Sequence, residues 1–130
     1  MLEDVGLLVL GHGSTLPYNQ ALVEDLAALI KKRHPGPVRT AYLNANDPRI
    51  PEGLLSFSGT GVKKIVALPL FLAAGVHTTE DIPKELGLPV GQMKGTIELD
   101  GRAVEVCCAG PLGADECIAN LAYRRATEAL

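Results

Sequence analysis

Residues 5–15 read VGLLVLGHGST. From Val5 to Leu10 the segment is apolar apart from Gly6, the pattern of a strand buried on both faces as in a parallel sheet. It ends by placing His12 between Gly11 and Gly13. In open α/β sheets, ligands gather beyond the carboxyl ends of the strands. An imidazole flanked by glycines at such an end is either bonded to a nearby carbonyl or meets a ligand there.

The flanking sequence supports that architecture. Asn19 can cap a helix whose Leu22, Leu26, Leu29 and Ile30 share one face, and His34-Pro35-Gly36-Pro37 stops it. Val38 to Leu43 reads as a second strand. Asp47-Pro48 supplies an N-cap with proline at the first helical position. The helix that follows, with Ile50, Leu54 and Leu55, is weakened by Gly53, Ser56 and Ser58. Val62 to Leu72 is the most apolar strand and empties into AAGVHTTEDIPKELG, where Thr78 or Thr79 can cap a short helix ending at Gly87. In TIELDGRAVEV the Asp100-Gly101 pair marks a hairpin. A last helix, from Asp115 to about Leu130, carries Ile118, Leu121, Ala122 and Ala126 on one face, with Arg124 and Arg125 outside it. The alternation predicts one α/β domain over residues 1–130, with a four-stranded, mainly parallel sheet, helices on both faces and a small added hairpin. In the common strand order 2-1-3-4, the first and third strands are neighbours and frame the ligand crevice.

His77 follows the third strand as His12 follows the first, so two of the three histidines are expected at one crevice. Neutral imidazole binds divalent transition metals and accepts protons near neutral pH. Two ligands are too few for a closed structural site, so a metal there would keep open positions. The glycines and hydroxyls around them (Gly11, Gly13, Ser14 and Thr15 on one side, Gly75, Thr78 and Thr79 on the other) suggest an anion held by loop amides. His34, at a helix end beside Pro35, is explained by the helix dipole.

Composition narrows the classes further. A net charge of −3, with three Tyr and two Phe, offers no basic stripe with stacking aromatics, so nucleic-acid binding is not expected. The apolar run from Ile65 to Val76 is too short for a bilayer and broken by Pro69. Leu2, Glu3 and Asp4 after Met1 are no signal-peptide n-region. Cys107, Cys108 and Cys117 lack C-x-x-C spacing and read as free thiols of a reducing cytoplasm. The acidic residues of a response regulator are absent after the first strand. So are a G-x-S-x-G elbow, G-x-G-x-x-G and Walker motifs, and arginines beside His12 for phosphohistidine chemistry.

The stretches LLVLGHGS…PYN, NDPRIPEGL, VALPLFLAAGVHTTEDIP and AGPLGADECIANL together resemble the small sirohydrochlorin chelatases of the CbiX-short type, across essentially the whole chain. The resemblance implies a chelatase-like three-layer sandwich. It also implies insertion of Co2+ or Ni2+ into sirohydrochlorin without ATP, for cobalamin or coenzyme F430 biosynthesis, by a symmetric homodimer with no organic cofactor. His12 and His77 would bind the metal and accept the pyrrole protons. Asn44 and Val76 join the glycines and hydroxyls above as expected substrate contacts. Ala73 and Ala74 stand where some relatives carry histidines, and Asn44-Ala45-Asn46-Asp47 where relatives often carry a glutamate. A non-catalytic metal or tetrapyrrole carrier using the same two histidines is the competing reading.

Overall fold

The computed structural model describes residues 1–130. After a single 3-10 turn, β1 (Val5–Gly11) leads to α1 (Pro17–Lys31), β2 (Val38–Tyr42), α2 (Ile50–Leu55) and β3 (Lys64–Pro69). A π-helical turn (His77–Asp81) runs directly into α3 (Ile82–Glu85), followed by β4 (Lys94–Leu99), β5 (Arg102–Cys108) and α4 (Glu116–Glu128). The sheet order is β2-β1-β3-β5-β4, all parallel except the edge strand β4. β1 and β3 are therefore neighbours, as the alternation requires.

The sheet has five strands rather than four plus an added hairpin. The second arm of the hairpin, β5, is itself the fourth parallel strand, because Val104 and Val106 are buried against the same core as Ile65 and Ala67 of β3. The turn at Asp100 and Gly101 has φ of 54° and 74°, the double positive φ of a type I′ hairpin turn. The Asp100 carboxylate accepts from the Gly59 N–H at 2.8 Å and from the Ser58 hydroxyl, tying the hairpin tip to the loop before β3. Those bonds, the Gly59 amide first, hold its carboxyl below the usual carboxylate range.

Two glycines explain how closely the layers meet. A Cβ on Gly6 would lie 2.5 Å from the Phe57 ring, so the strand is notched where that buried ring rests. A Cβ on Gly53 would lie 2.7 Å from Ala41 Cβ, so the residue that weakens α2 as a helix lets it sit directly on β2. Three expected caps are not formed: neither Thr78 nor Thr79 caps a helix, since both lie inside the π-helical turn that precedes α3. α1 begins at Pro17 after Leu16, and α2 begins at Ile50 after Arg49. Asn19 is drawn off to another partner, described below. Arg49 still bridges to Tyr42, which delays the helix.

The main core of 15 buried residues lies between the sheet and α2–α3. On the opposite face α1 covers β1 and β2 through Val23 and Ala27, and Glu24 accepts hydrogen bonds from Thr40 and Tyr42 at the β2 side. By helical spacing, Leu22, Leu26 and Leu29 fall on the other flank of α1, towards β3 and β5. Leu22 and Leu29 are exposed there, and Val66, Leu68 and Cys107 on the adjoining sheet face are only partly buried.

The last helix, whose stripe of Ile118, Leu121, Ala122 and Ala126 reads as a packing face, does not cover it. α4 is well capped, Asp115 accepting from the Cys117 N–H at 2.8 Å, yet none of its residues is buried. Its preceding segment is tied to the loop after β3: Leu112 and Gly113 donate to the carbonyls of Phe71 and Leu72, each at 2.8 Å. No helix is long and apolar enough to cross a membrane.

Candidate active site

His12 is positioned by the continuation of the β1–β2 ladder beyond the strands. Leu43 N–H donates to Gly11 and Asn44 N–H donates to His12, at 3.0 and 2.9 Å. Gly13 then turns with φ of 88°, its backbone so close to Asn44 that a Cβ would lie 1.7 Å from the Asn44 carbonyl oxygen. Its N–H donates to Asn19 Oδ1 at 2.9 Å, and the N–H of Ser14 donates to Asn46 Oδ1 at 2.9 Å. Asn19 is thus a clamp on the histidine loop and not a helix cap.

His77 opens the π-helical turn after β3. π-turns within helices are rare and concentrate at functional sites. The turn is anchored from behind: Gly75 N–H donates to Thr78 Oγ1 at 2.8 Å, and the Thr79 hydroxyl donates to the Gly75 carbonyl at 2.8 Å.

The two imidazoles meet. Their Nε2 atoms are 3.4 Å apart, with ring centroids 4.8 Å apart and planes at 81°. Each Nδ1 faces an oxygen: Asp81 Oδ2 at 2.8 Å for His77, the Gly13 carbonyl at 3.2 Å for His12. With the ring hydrogens on Nδ1, two lone pairs face each other, an arrangement that a cation between them stabilises. For the imidazole–zinc bond length of about 2.0–2.1 Å and a tetrahedral angle, two nitrogens on one ion lie about 3.3–3.4 Å apart. The observed gap matches that span. No third His, Cys, Asp or Glu completes a set around the same point, so an ion held here keeps most of its coordination free.

The expected anion cradle looks different in the structure. The N–H groups of Gly13, Ser14 and Gly75 are already used inside the chain. Gly11 is buried, since a Cβ there would meet Val23 at 2.6 Å, and Thr78 is buried as the turn's anchor. Thr15, Asn44, Val76 and Thr79 remain exposed at the rim. Asp47 is exposed and joins no metal-binding cluster, and Ala73 and Ala74 are exposed on the loop before His77.

What the sequence reading missed is an apolar rim. Leu16 and Tyr18 after β1, Leu72 and Val76 after β3, and Leu112 after β5 are all exposed, and the Phe71 ring lies 6.1 Å from His12. Large apolar side chains in three loops at one end of a sheet are a signal the sequence did contain. Together they are an exposed apolar surface beside the two imidazoles, of the kind that marks ligand-binding clefts.

His34 is remote from this site. Its Nε2–H donates to the Val5 carbonyl at 2.7 Å, joining the end of α1 to the start of β1. That bond replaces the helix dipole as the reason for the residue. His34→Ala is expected to cost about 1 kcal/mol of stability and to leave activity at the wild-type level. Urea denaturation and initial rates check both halves, and a large loss of rate in a folded variant would overturn the placement.

Comparison with known proteins gives a consistent result. Residues 6–129 match the CbiX family model. The sirohydrochlorin cobaltochelatases of Methanosarcina barkeri and Methanosarcina acetivorans are 48% and 46% identical, with all of this chain and all of each relative aligned. Among solved structures, the sirohydrochlorin chelatase SirB of Bacillus subtilis subspecies spizizenii, in complex with cobalt, superposes with a TM-score of 0.76 at 23% identity. That match covers 95% of this chain and 50% of SirB, so the present chain spans half the length of that protein and shares its fold.

Proposed function

The chain belongs to the CbiX family, and from that premise we propose that it is a sirohydrochlorin chelatase. It inserts Co2+ or Ni2+ without ATP, serving cobalamin or coenzyme F430 biosynthesis. The observation that carries the reading is the pair of Nε2 atoms 3.4 Å apart at the ends of β1 and β3. Metallation replaces two pyrrole N–H protons by one divalent ion and releases two protons. His12 and His77 present the ion through Nε2 and accept protons as the ion departs into the ring. Both side chains are exposed, so those protons pass on to solvent. The apolar rim takes the face of the macrocycle, and Thr15 and Asn44 face its carboxylates. A two-ligand site suits an ion that must leave; a carrier would be expected to close around its cargo.

Timed absorbance spectra of sirohydrochlorin with Co2+ or Ni2+, with and without protein, test the reading. Many turnovers per protein above the spontaneous rate are expected. Binding that stops at one equivalent would favour the carrier instead.

The reading includes a symmetric homodimer. Ile118, Leu121 and Ala122 form an apolar stripe on α4, of which none is buried in its own chain, while the flank of α1 and the β3–β5 face are only partly covered. The segment before α4 is fixed to the loop after β3 while α4 itself stays unburied, which favours a second copy as the occupant of that face. A 13-residue helix is about 20 Å long and about 10 Å wide. Two exchanged helices, each counted on both surfaces, would bury roughly 800 Å², the larger part of the 1,200 Å² at which specific interfaces begin. Sedimentation should give a dimer, and Leu121→Asp with Ile118→Asp should give a folded monomer. A wild-type protein active as a 13.7 kDa species would remove the argument.

A further inference from the structure

We propose that Asp81 is a positioning residue that sets which nitrogen of His77 is free to bind the incoming ion. This rests on the reading of the histidine pair as the site where the ion is presented. A neutral imidazole carries one hydrogen on two nitrogens. If it sits on Nε2 of His77, it projects into the 3.4 Å gap towards His12 and occupies the space an ion would fill. If it sits on Nδ1, the gap holds a lone pair.

The structure biases that choice. Asp81 Oδ2 lies 2.8 Å from His77 Nδ1 and can only accept, so the pairing requires the hydrogen on Nδ1. The two residues are four apart, on the π-helical turn that runs into α3. Ile82 and Pro83, the next two residues, are buried and fix the base of that segment. The carboxylate is therefore held by the fold, and the ring is held by the carboxylate. His12 has only its neighbour's carbonyl at 3.2 Å for the same purpose. The pair is unequal: His77 is the ligand of fixed orientation, and His12 the one whose ring has less to hold it.

Long-range 1H–15N NMR of the metal-free protein reads the tautomer directly. Wild type should show His77 in the Nδ1–H form, and Asp81→Ala should show the Nε2–H form. Co2+ titration, followed by its visible absorption, should give affinity about 10–100-fold weaker for the variant, the usual effect of losing such a partner. Asp81→Glu, with the same acceptor, should recover part of it. The side chain bonds only to His77 and is exposed in part, so the fold should persist; Asp81→Leu, similar in size but with no acceptor, carries the same readouts if alanine does not fold. An unchanged tautomer, or unchanged Co2+ affinity, would overturn the assignment. A tautomer switch with weakened Co2+ binding, in a protein that never metallates sirohydrochlorin, would uphold it and refute the chelatase reading.

Discussion

His12→Ala and His77→Ala are each expected to lower enzymatic metallation of sirohydrochlorin by about 10²–10⁴-fold, the range for removing a positioned acid–base group. Either change empties one side of the 3.4 Å gap between the Nε2 atoms. The survivor can still bind an ion, but as a single ligand with nothing opposite it, and one proton acceptor is gone. The double variant should be little worse than either single one, because the pair acts as a unit. Both side chains are exposed and bury no apolar surface, so thermal midpoints should move by no more than a few degrees. Initial rates, corrected for the spontaneous reaction, and melting curves test this together. Two folded variants with wild-type turnover would mean that the crevice between β1 and β3 is not the site.

The second large effect is on stability. Gly13→Ala should destabilise the domain by about 2–4 kcal/mol, combining a left-handed backbone with a steric clash. In a chain of this size that lowers the midpoint by roughly 10 °C. A Cβ 1.7 Å from the Asn44 carbonyl leaves no alternative to pulling the loops after β1 and β2 apart. The control is Gly61→Ala, where φ is 77° but nothing lies within 4 Å of the added carbon. That variant should show the backbone strain alone, about 1 kcal/mol. Equal melting curves for the two would show that the β1 and β2 loops are not locked. Because His12 precedes the glycine, Gly13→Ala should also weaken Co2+ binding, whereas Gly61→Ala should not.

Most of the architecture was legible in the sequence for one reason. Strands inside a parallel sheet read as apolar runs, so β1 and β3 stand out in the sequence, and the loop after each run falls at the crevice. His12 and His77 were found in that way, and the distance between them needed coordinates. The errors came where a side chain had two possible employments. Asn19 reads equally well as a cap and as a clamp, and the Gly13 amide decided it. The hydroxyls of Thr78 and Thr79 suggested an anion site, but the turn before the π-helix consumes them. Asp81 gave no signal, since an i,i+4 carboxylate is commonplace until its partner is known to be a ligand. The stripe on α4 was read correctly as helical and apolar, but periodicity does not say what a stripe covers.

The strand order has a consequence for how copies of this chain can meet at high concentration. The two outer strands are the places where one sheet could be extended by another, and both are poor templates. β2 is five residues long and bounded by Pro37 and the Tyr42–Arg49 bridge. β4 carries exposed Lys94, Thr96 and Glu98 along its length. Short, proline-bounded or charged margins resist strand-to-strand growth into fibres. Crowding should therefore not draw this chain, edge to edge, into open-ended aggregates.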